Sequence, residues 1–270
     1  MKYKISDVAK LLDITPEAIR YYESKGIIAP ERSEATGYRY YGGWEIHMLI
    51  RARIYRQLGY TLDETAKLLN NYENDDIISN LSDRKEDIKK EIVWKSNILK
   101  HIEKEEQSMI ASNELIGKYR IEYRPDIYRL EMQNGYVLHP DKYIQKIIFD
   151  WLNKIPFVFT STLFSLVEVE SSGKNFSVGL GVYKEYAELL DIEESDYVKL
   201  YPSRLCIQTG IQSKSNQTIT PELLAPAIEY MNSQGMELSG DVLTKSALMR
   251  KVGDDYINWH QAWLPFNHSK

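Results

Sequence analysis

From Asp83 to Ile110 the chain contains no proline or glycine and is rich in lysine and glutamate. With Leu81 at position d of a heptad, Leu81, Ile88, Lys95, Ile102 and Met109 fall at d and Lys85, Ile92, Leu99 and Glu106 at a; six of these nine are apolar. That recurrence predicts a long helix able to form a two-stranded coiled coil, made modest by its polar positions. The plainer alternative is a surface helix packed on its own chain. A helix of this length divides the 270 residues into separately folding flanks. The expected organisation is residues 1–75, a dimerising helix at 76–112, and a larger unit at 113–270.

The composition, 43% apolar and 27% charged, is that of a globular protein with real cores. A single cysteine, Cys206, excludes an internal disulfide framework and any site of several thiolates. No apolar run approaches the roughly 18 residues of a membrane span, so the chain is expected to be cytoplasmic, with no membrane partner. The net charge of −5 speaks against nucleic acid only on average. Residues 1–60 hold ten Lys and Arg against seven Asp and Glu, whereas each of the stretches 61–119 and 120–270 has a net charge of −4. The positive charge sits at the N-terminus, where a phosphate footprint would need it.

That N-terminal segment reads as two short helices and a ribbon. Ser6 is an N-cap signal before Val8, Leu11 and Leu12 on one helix face. Asp13-Ile14 breaks the helix, Thr15-Pro16-Glu17 starts another, and Gly26 closes it. A pair joined so tightly describes a helix-turn-helix whose second helix enters a major groove. Arg32 to Tyr41 then places a glycine turn between two short segments bearing arginine and tyrosine, a wing. Arginine supplies charge and tyrosine hydroxyls bond phosphate oxygens. Packing against the helices is the alternative role for these rings.

The blocks Ala18-Ile19-Arg20-Tyr21-Tyr22-Glu23 and Gly37-Tyr38-Arg39-Tyr40-Tyr41, followed by Leu49-Ile50-Arg51-Ala52-Arg53 and Leu58-Gly59-Tyr60-Thr61-Leu62-Asp63-Glu64, resemble the MerR family of transcription regulators from Tyr3 to about Leu69. The resemblance implies a winged helix-turn-helix whose Thr15, Arg20, Tyr21, Tyr22, Tyr38, Arg39 and Tyr41 touch DNA. It also implies an antiparallel coiled coil, hence a homodimer on a pseudo-palindromic double-stranded promoter site, and RNA polymerase as a partner at that promoter. Thr61 with Glu64 is read as a capping box. Metal-sensing members of the family place cysteines at the end of the long helix, and none occurs between Ser108 and Gly117. No metal and no cofactor is expected.

Beyond Ser112 the periodicity changes to strands and two helices. Strands are expected within 121–132, at 157–170, 175–183, 198–208, 242–252 and 256–266, and helices at 141–154 and 221–234. A strand, helix and hairpin unit occurring twice suggests pseudo-twofold symmetry in a concave antiparallel sheet with helices on one side. The fold class is therefore multidomain, α followed by α+β. This C-terminal order resembles the GyrI-like effector-binding domain of MerR-type multidrug sensors.

Nineteen of the 31 aromatic residues lie beyond residue 119. Each single ring is most simply core, but a crowd of them near an acid suits a flat aromatic or cationic ligand. The ligand candidates are Tyr128, Tyr143, Trp151, Tyr183, Tyr186, Tyr256, Trp259 and Trp263. Alternation places Trp259, Gln261 and Trp263 on one strand face. In cation-binding relatives the resemblance implies two strand glutamates, and here Thr244 and Gln261 stand in their places, leaving hydrogen bonds rather than charge. Glu168, on the same expected strand face as Glu170, is the candidate substitute carboxylate; a solvated strand end is its other reading. The expected function is thus a ligand-responsive transcription regulator, an activator by promoter distortion, that senses aromatic, amphipathic or cationic small molecules and is not an enzyme. The competing class is a sequestering protein or a hydrolase built on the C-terminal unit.

Overall fold

The computed structural model describes residues 2–214 and 219–268. They form two compact units, 1–94 and 95–270, and the long helix contributes to both.

In the first unit, β1 (Tyr3–Lys4) leads into α1 (Ile5–Leu12). The helix starts two residues earlier than Ser6 capping implies, with Lys4 at the N-cap: the Lys4 N–H donates to the Asp7 carboxylate at 3.0 Å. The carboxylate of Asp7 sits near the positive helix end, which favours it over a serine hydroxyl. Asp13, left-handed at φ 50°, stops the helix. Thr15 caps α2 (Pro16–Ser24) by accepting from the Ala18 N–H at 3.1 Å, with Pro16 at the first helical position, where no N–H is needed. Next come β2 (Glu31–Arg32) and β3 (Arg39–Tyr41), which pair antiparallel, with β1 on the other edge of β3. Then α3 (Gly43–Gln57) and α4 (Leu62–Asn70) follow. Thr61 and Glu64 form the expected capping box: the Thr61 N–H donates to the Glu64 carboxylate at 2.6 Å and the Glu64 N–H to the Thr61 hydroxyl at 3.3 Å. Val8, Leu12, Ile19, Ile27, Tyr41 and Leu49 form the core, each burying a side chain worth about 1.5–3 kcal/mol.

The long helix is α5 (Asn74–Glu114). In the first unit, Leu81 and Ile77 pack on Tyr55, Tyr60 and Leu68. No described helix is long and apolar enough to cross a membrane.

The second unit continues with β4 (Arg120–Arg124), β5 (Ile127–Asn134), β6 (Val137–Leu138), α6 (Lys142–Leu152), β7 (Val158–Phe164), α7 (Leu166–Glu170), β8 (Ser177–Tyr183) and α8 (Ala187–Leu190). It ends with β9 (Val198–Tyr201), β10 (Arg204–Lys214), α9 (Ala225–Ser233), β11 (Met236–Leu238), β12 (Val242–Val252) and β13 (Asp255–His268). The strands form one antiparallel sheet in the order β4-β10-β13-β12-β7-β8-β5-β6, with β9 also on β5 and β11 on β13. Two expected strands are corrected. The segment 157–170 leaves the sheet at Phe164, because Ser165 caps α7 by accepting from the Glu168 N–H at 3.4 Å. The segment 198–208 is interrupted at Pro202-Ser203, and its two halves join opposite ends of the sheet. Proline has no N–H to continue a ladder.

Register assigns the two faces. Ile207, Ile211, Val242, Ala262 and Leu264 pack with Leu224, Ala227 and Met231 of the α9 region. The alternate residues Gln208, Gly210, Leu243, Lys245, Gln261 and Trp263 share the other face. Within this unit the C-terminal part of α5 lies on that face. Gly210 makes the approach possible, since a Cβ there would lie 2.3 Å from the Ser112 carbonyl oxygen. The Gly210 N–H donates to Leu115 O at 3.1 Å.

Candidate nucleic-acid interface and effector face

In α2, fully buried Ile19 fixes which side faces out. Arg20 and Tyr21 are exposed, and Thr15 and Tyr22 flank them. The Arg20 guanidinium is steadied by Glu17 one turn earlier at 3.1 Å, an exposed pair of small energetic weight. Across from it the wing presents Tyr38, 71% exposed at its tip. Glu23 of α2 locks the wing in place. Its carboxylate accepts from Arg39 Nε at 3.0 and 2.8 Å, and from Arg32 Nη2 at 3.3 Å. Helix and wing enclose a groove of about 770 Å³ lined by Lys4, Ser6, Arg20, Tyr38, Arg39 and Tyr40. Five of these six carry a cationic group or a phenol able to bond phosphate.

In the second unit, fully buried Lys245 dominates the face beneath α5. Its ammonium is ion-paired with Glu105 of α5, donates to the Tyr183 hydroxyl at 3.3 Å, and lies 5.1 Å from the ring centroids of both Phe159 and Tyr183. Burial holds the Lys245 pKa below its usual value against the pull of Glu105, and burial pushes the Tyr183 phenol up. Glu105 also meets His101 Nε2 at 3.4 Å, and the His101 ring packs edge-on against Phe157 and Tyr186. Burial pushes the Tyr186 phenol up to about 12. Further along, Ser108 donates to Gln261 at 2.8 Å, and Arg120 binds Gln208 through Nε at 3.1 Å and Nη2 at 2.5 Å. A cavity of about 280 Å³ opens here between Ser108, Tyr123, Tyr183, Gln208, Gln261 and Trp263.

Residues 3–72 match the model of the MerR HTH family regulatory protein. The N-terminal region belongs to the MerR family. Over 66 residues this region is 42% identical to the HTH-type transcriptional regulator CueR of Escherichia coli O157:H7, covering 24% of this chain and 49% of that protein. Over 77 residues the chain is 39% identical to the mercuric resistance operon regulatory protein of Bacillus cereus, covering 28% and 58%. The chain thus spans about half the length of the curated relatives it matches. Among solved structures, that of the EcmrR–DNA complex aligns over 99% of this chain and 100% of that one, at 17% identity and a TM-score of 0.37.

In the MerR-type region the groove brings together Arg20, Tyr38 and Arg39, with Thr15, Tyr21 and Tyr22 on the same helix. Tyr41 is a correction. It is fully buried, and burial pushes its phenol pKa up, so its hydroxyl cannot reach phosphate; its ring belongs to the core beneath the wing. Lys4 and Ser6 line the groove and were missed, although the Lys2-Tyr3-Lys4 run carried a charge signal.

In the second unit Tyr183, Gln261 and Trp263 converge, and Trp259 shares their strand face as alternation predicts. The others do not join them. Tyr128 alternates with Ile127, the residue paired with Tyr183, and so points away. Tyr143 is exposed against Tyr197, Trp151 is buried on α6, Tyr186 packs on Phe157, and Tyr256 is exposed near the β12–β13 turn. Thr244 pairs with Ala262 of the helix-packed face, and its hydroxyl accepts from the Thr162 N–H at 3.2 Å; its neighbour Lys245 takes the place on the Gln261 face. Glu168 lies on α7 rather than a strand. Asn175 donates to it through the backbone N–H at 3.1 Å and the side chain at 2.8 Å, holding its pKa below the usual value, so it is a local cap. The carboxylate on the sheet face comes instead from Glu105, which no strand pattern could reveal.

Proposed function

We propose that the chain is a homodimeric, ligand-responsive transcription regulator that binds promoter DNA through residues 1–75, dimerises through 76–112 and senses a small molecule through 113–270. The match of residues 3–72 to the MerR family, coinciding with a groove of exposed basic and tyrosine side chains, carries the reading. Ile92, Leu99, Ile102 and Met109, at heptad positions of α5, are 62, 60, 57 and 40% exposed, which supports an antiparallel coiled coil with a second copy. Two recognition helices then read a pseudo-palindromic site, and distortion of that promoter for RNA polymerase in the cytoplasm is the proposed route to activation.

The strand order β10-β13-β12-β7-β8-β5 supports pseudo-twofold symmetry, because each half is a strand, a helix and a hairpin laid out in mirrored order. The proposed effector face is the one beneath α5. Lys245 already places an ammonium among the aromatic rings, which favours neutral or amphipathic aromatic ligands over cations. A ligand acts only by favouring one dimer arrangement over another.

The experiment is selection of DNA sites from a random pool by the full chain, followed by titration of the winner with wild type and Arg20→Ala. A pseudo-palindromic winner, weakened by the substitution with a shallower salt slope, is expected. Failure to enrich any sequence refutes the reading.

A further inference from the structure

Arg129 of β5 is 4% exposed. Its Nη2 donates to the carbonyl oxygen and the hydroxyl of Ser177, both at 2.9 Å, and to Ser161 O at 3.4 Å. Its Nε has no partner, and no described carboxylate forms an ion pair with it. Its hydrogen-bond partners are all neutral, and Glu131 and Asp241 attract it without pairing with it; a buried guanidinium with no directly paired anion is costly unless a ligand supplies one. The sheet makes room for it: a Cβ at Gly179 would lie 3.0 Å from the guanidinium carbon and 2.3 Å from Leu130 O.

Arg129 lines a cavity of about 320 Å³, within the range of about 300–1,000 Å³ typical of small-molecule sites. Its other formally charged lining residues are Lys199, Glu131, Asp196 and Asp241, so two cations face three carboxylates. Asp241 accepts one bond, from the Leu166 N–H to Oδ1 at 3.0 Å, leaving Oδ2 unengaged among the described residues. A simple anion would enter a cavity of net negative charge. A simple amine would leave Arg129 without its counter-ion. A molecule carrying both charges satisfies both groups, and the planar guanidinium fork suits a carboxylate. We propose that this cavity binds a small amino carboxylate, with its carboxylate on Arg129 and its ammonium toward Asp241.

Calorimetric titration of the full chain, without DNA, tests this with the twenty protein amino acids and the ω-amino acids up to 6-aminohexanoate. At least one zwitterion should bind, and its amine lacking the carboxylate should bind at least tenfold more weakly. Arg129→Lys, which keeps the charge but loses the fork, should weaken binding at least tenfold. Leu163→Trp, which fills the cavity without removing a charge, should abolish it and serves if Arg129 variants do not fold. No heat from any zwitterion at millimolar concentration, or equal binding of zwitterion and amine, would overturn the proposal. Because no DNA is present, either result leaves the regulator reading untouched.

Discussion

Replacing Glu105 by Gln tests what holds α5 on the sheet of the second unit. Lys245 is 0% exposed, whereas the Glu105 side chain is 26% exposed. Two substitutions that delete the same ion pair therefore leave different remnants. Glu105→Gln strands an ammonium with no countercharge. Breaking a buried pair this way typically costs about 3–5 kcal/mol, and the Tyr183 hydroxyl with two ring faces offsets about 1–2 kcal/mol of that. A net loss of about 2–3 kcal/mol is expected. Lys245→Met leaves a carboxylate that can turn to water and a flexible side chain that fills the volume, so its loss should stay below about 1 kcal/mol. The double variant should lie near Lys245→Met, since the stranded charge is gone.

The pH dependence has a definite sign. Burial holds the folded Lys245 pKa below 10.5, so between that lowered value and 10.5 the unfolded chain binds more protons and stability rises with pH. Glu105 raises the Lys245 pKa, so its removal extends this window downward. The Glu105→Gln deficit should therefore shrink between neutral pH and about pH 9.5, while Lys245→Met shows no such recovery. Urea unfolding of the full chain, followed by tryptophan fluorescence at both pH values, measures this. A Lys245→Met loss equal to or larger than that of Glu105→Gln, or additive losses in the double variant, would refute the reasoning.

His260 is buried, with Nε2 on the Ser213 hydroxyl at 2.9 Å, and burial lowers its pKa to about 4. Stability should therefore fall by up to about 3 kcal/mol as pH drops from about 6.5 to about 4, and His260→Gln should flatten that part of the profile in thermal melts. Gly210→Ala should destabilise by about 1–3 kcal/mol in the same melts, because its Cβ would meet backbone of α5; an unchanged melting point would mean that α5 is not seated there. Leu99→Glu should convert dimer to monomer in sedimentation at micromolar concentration if the exposed stripe of α5 is the dimer seam. Tyr38→Ala should weaken DNA binding, whereas Tyr41→Phe should not, since only the first ring is exposed.

The first unit was readable in the sequence because its signals are local. Thr15-Pro16, Thr61 with Glu64, and the glycine at 26 each act within one helical turn. The errors there are of side-chain direction. Tyr38 and Tyr41 look alike in sequence, but one tips the wing and the other fills the core. In the second unit, alternation placed Trp259, Gln261 and Trp263 together because a strand period of 2 needs no partner to interpret. The family resemblance failed for Thr244, where a register shifted by one residue exchanged the facing side chain for Lys245, the one charged residue between Val242 and Met249. No pattern in the sequence pointed to Glu105 and Ser108. Those side chains reach the sheet from a helix more than 130 residues away in sequence from their partners, and only tertiary packing could reveal them.

This placement bears on how the proposed regulator would respond. A ligand entering beneath α5 meets Ser108, on the helix proposed to dimerise, and Tyr183, which bonds the Lys245 partner of Glu105, so it can act on that helix and on its ion pair. The magnitudes limit what any one contact can do. Moving a two-state equilibrium from 1:99 to 99:1 requires about 5.5 kcal/mol of differential binding. The Lys245–Glu105 pair, at the net 2–3 kcal/mol argued above, falls short by about half. Full switching therefore requires a second set of contacts to change with it, and the Ser108–Gln261 bond together with the close seat of Ser112 on Gly210 is the set that lies on the same face. A ligand that broke only the ion pair would bind and switch the dimer partially. One that also inserted at Gln261 would switch it fully.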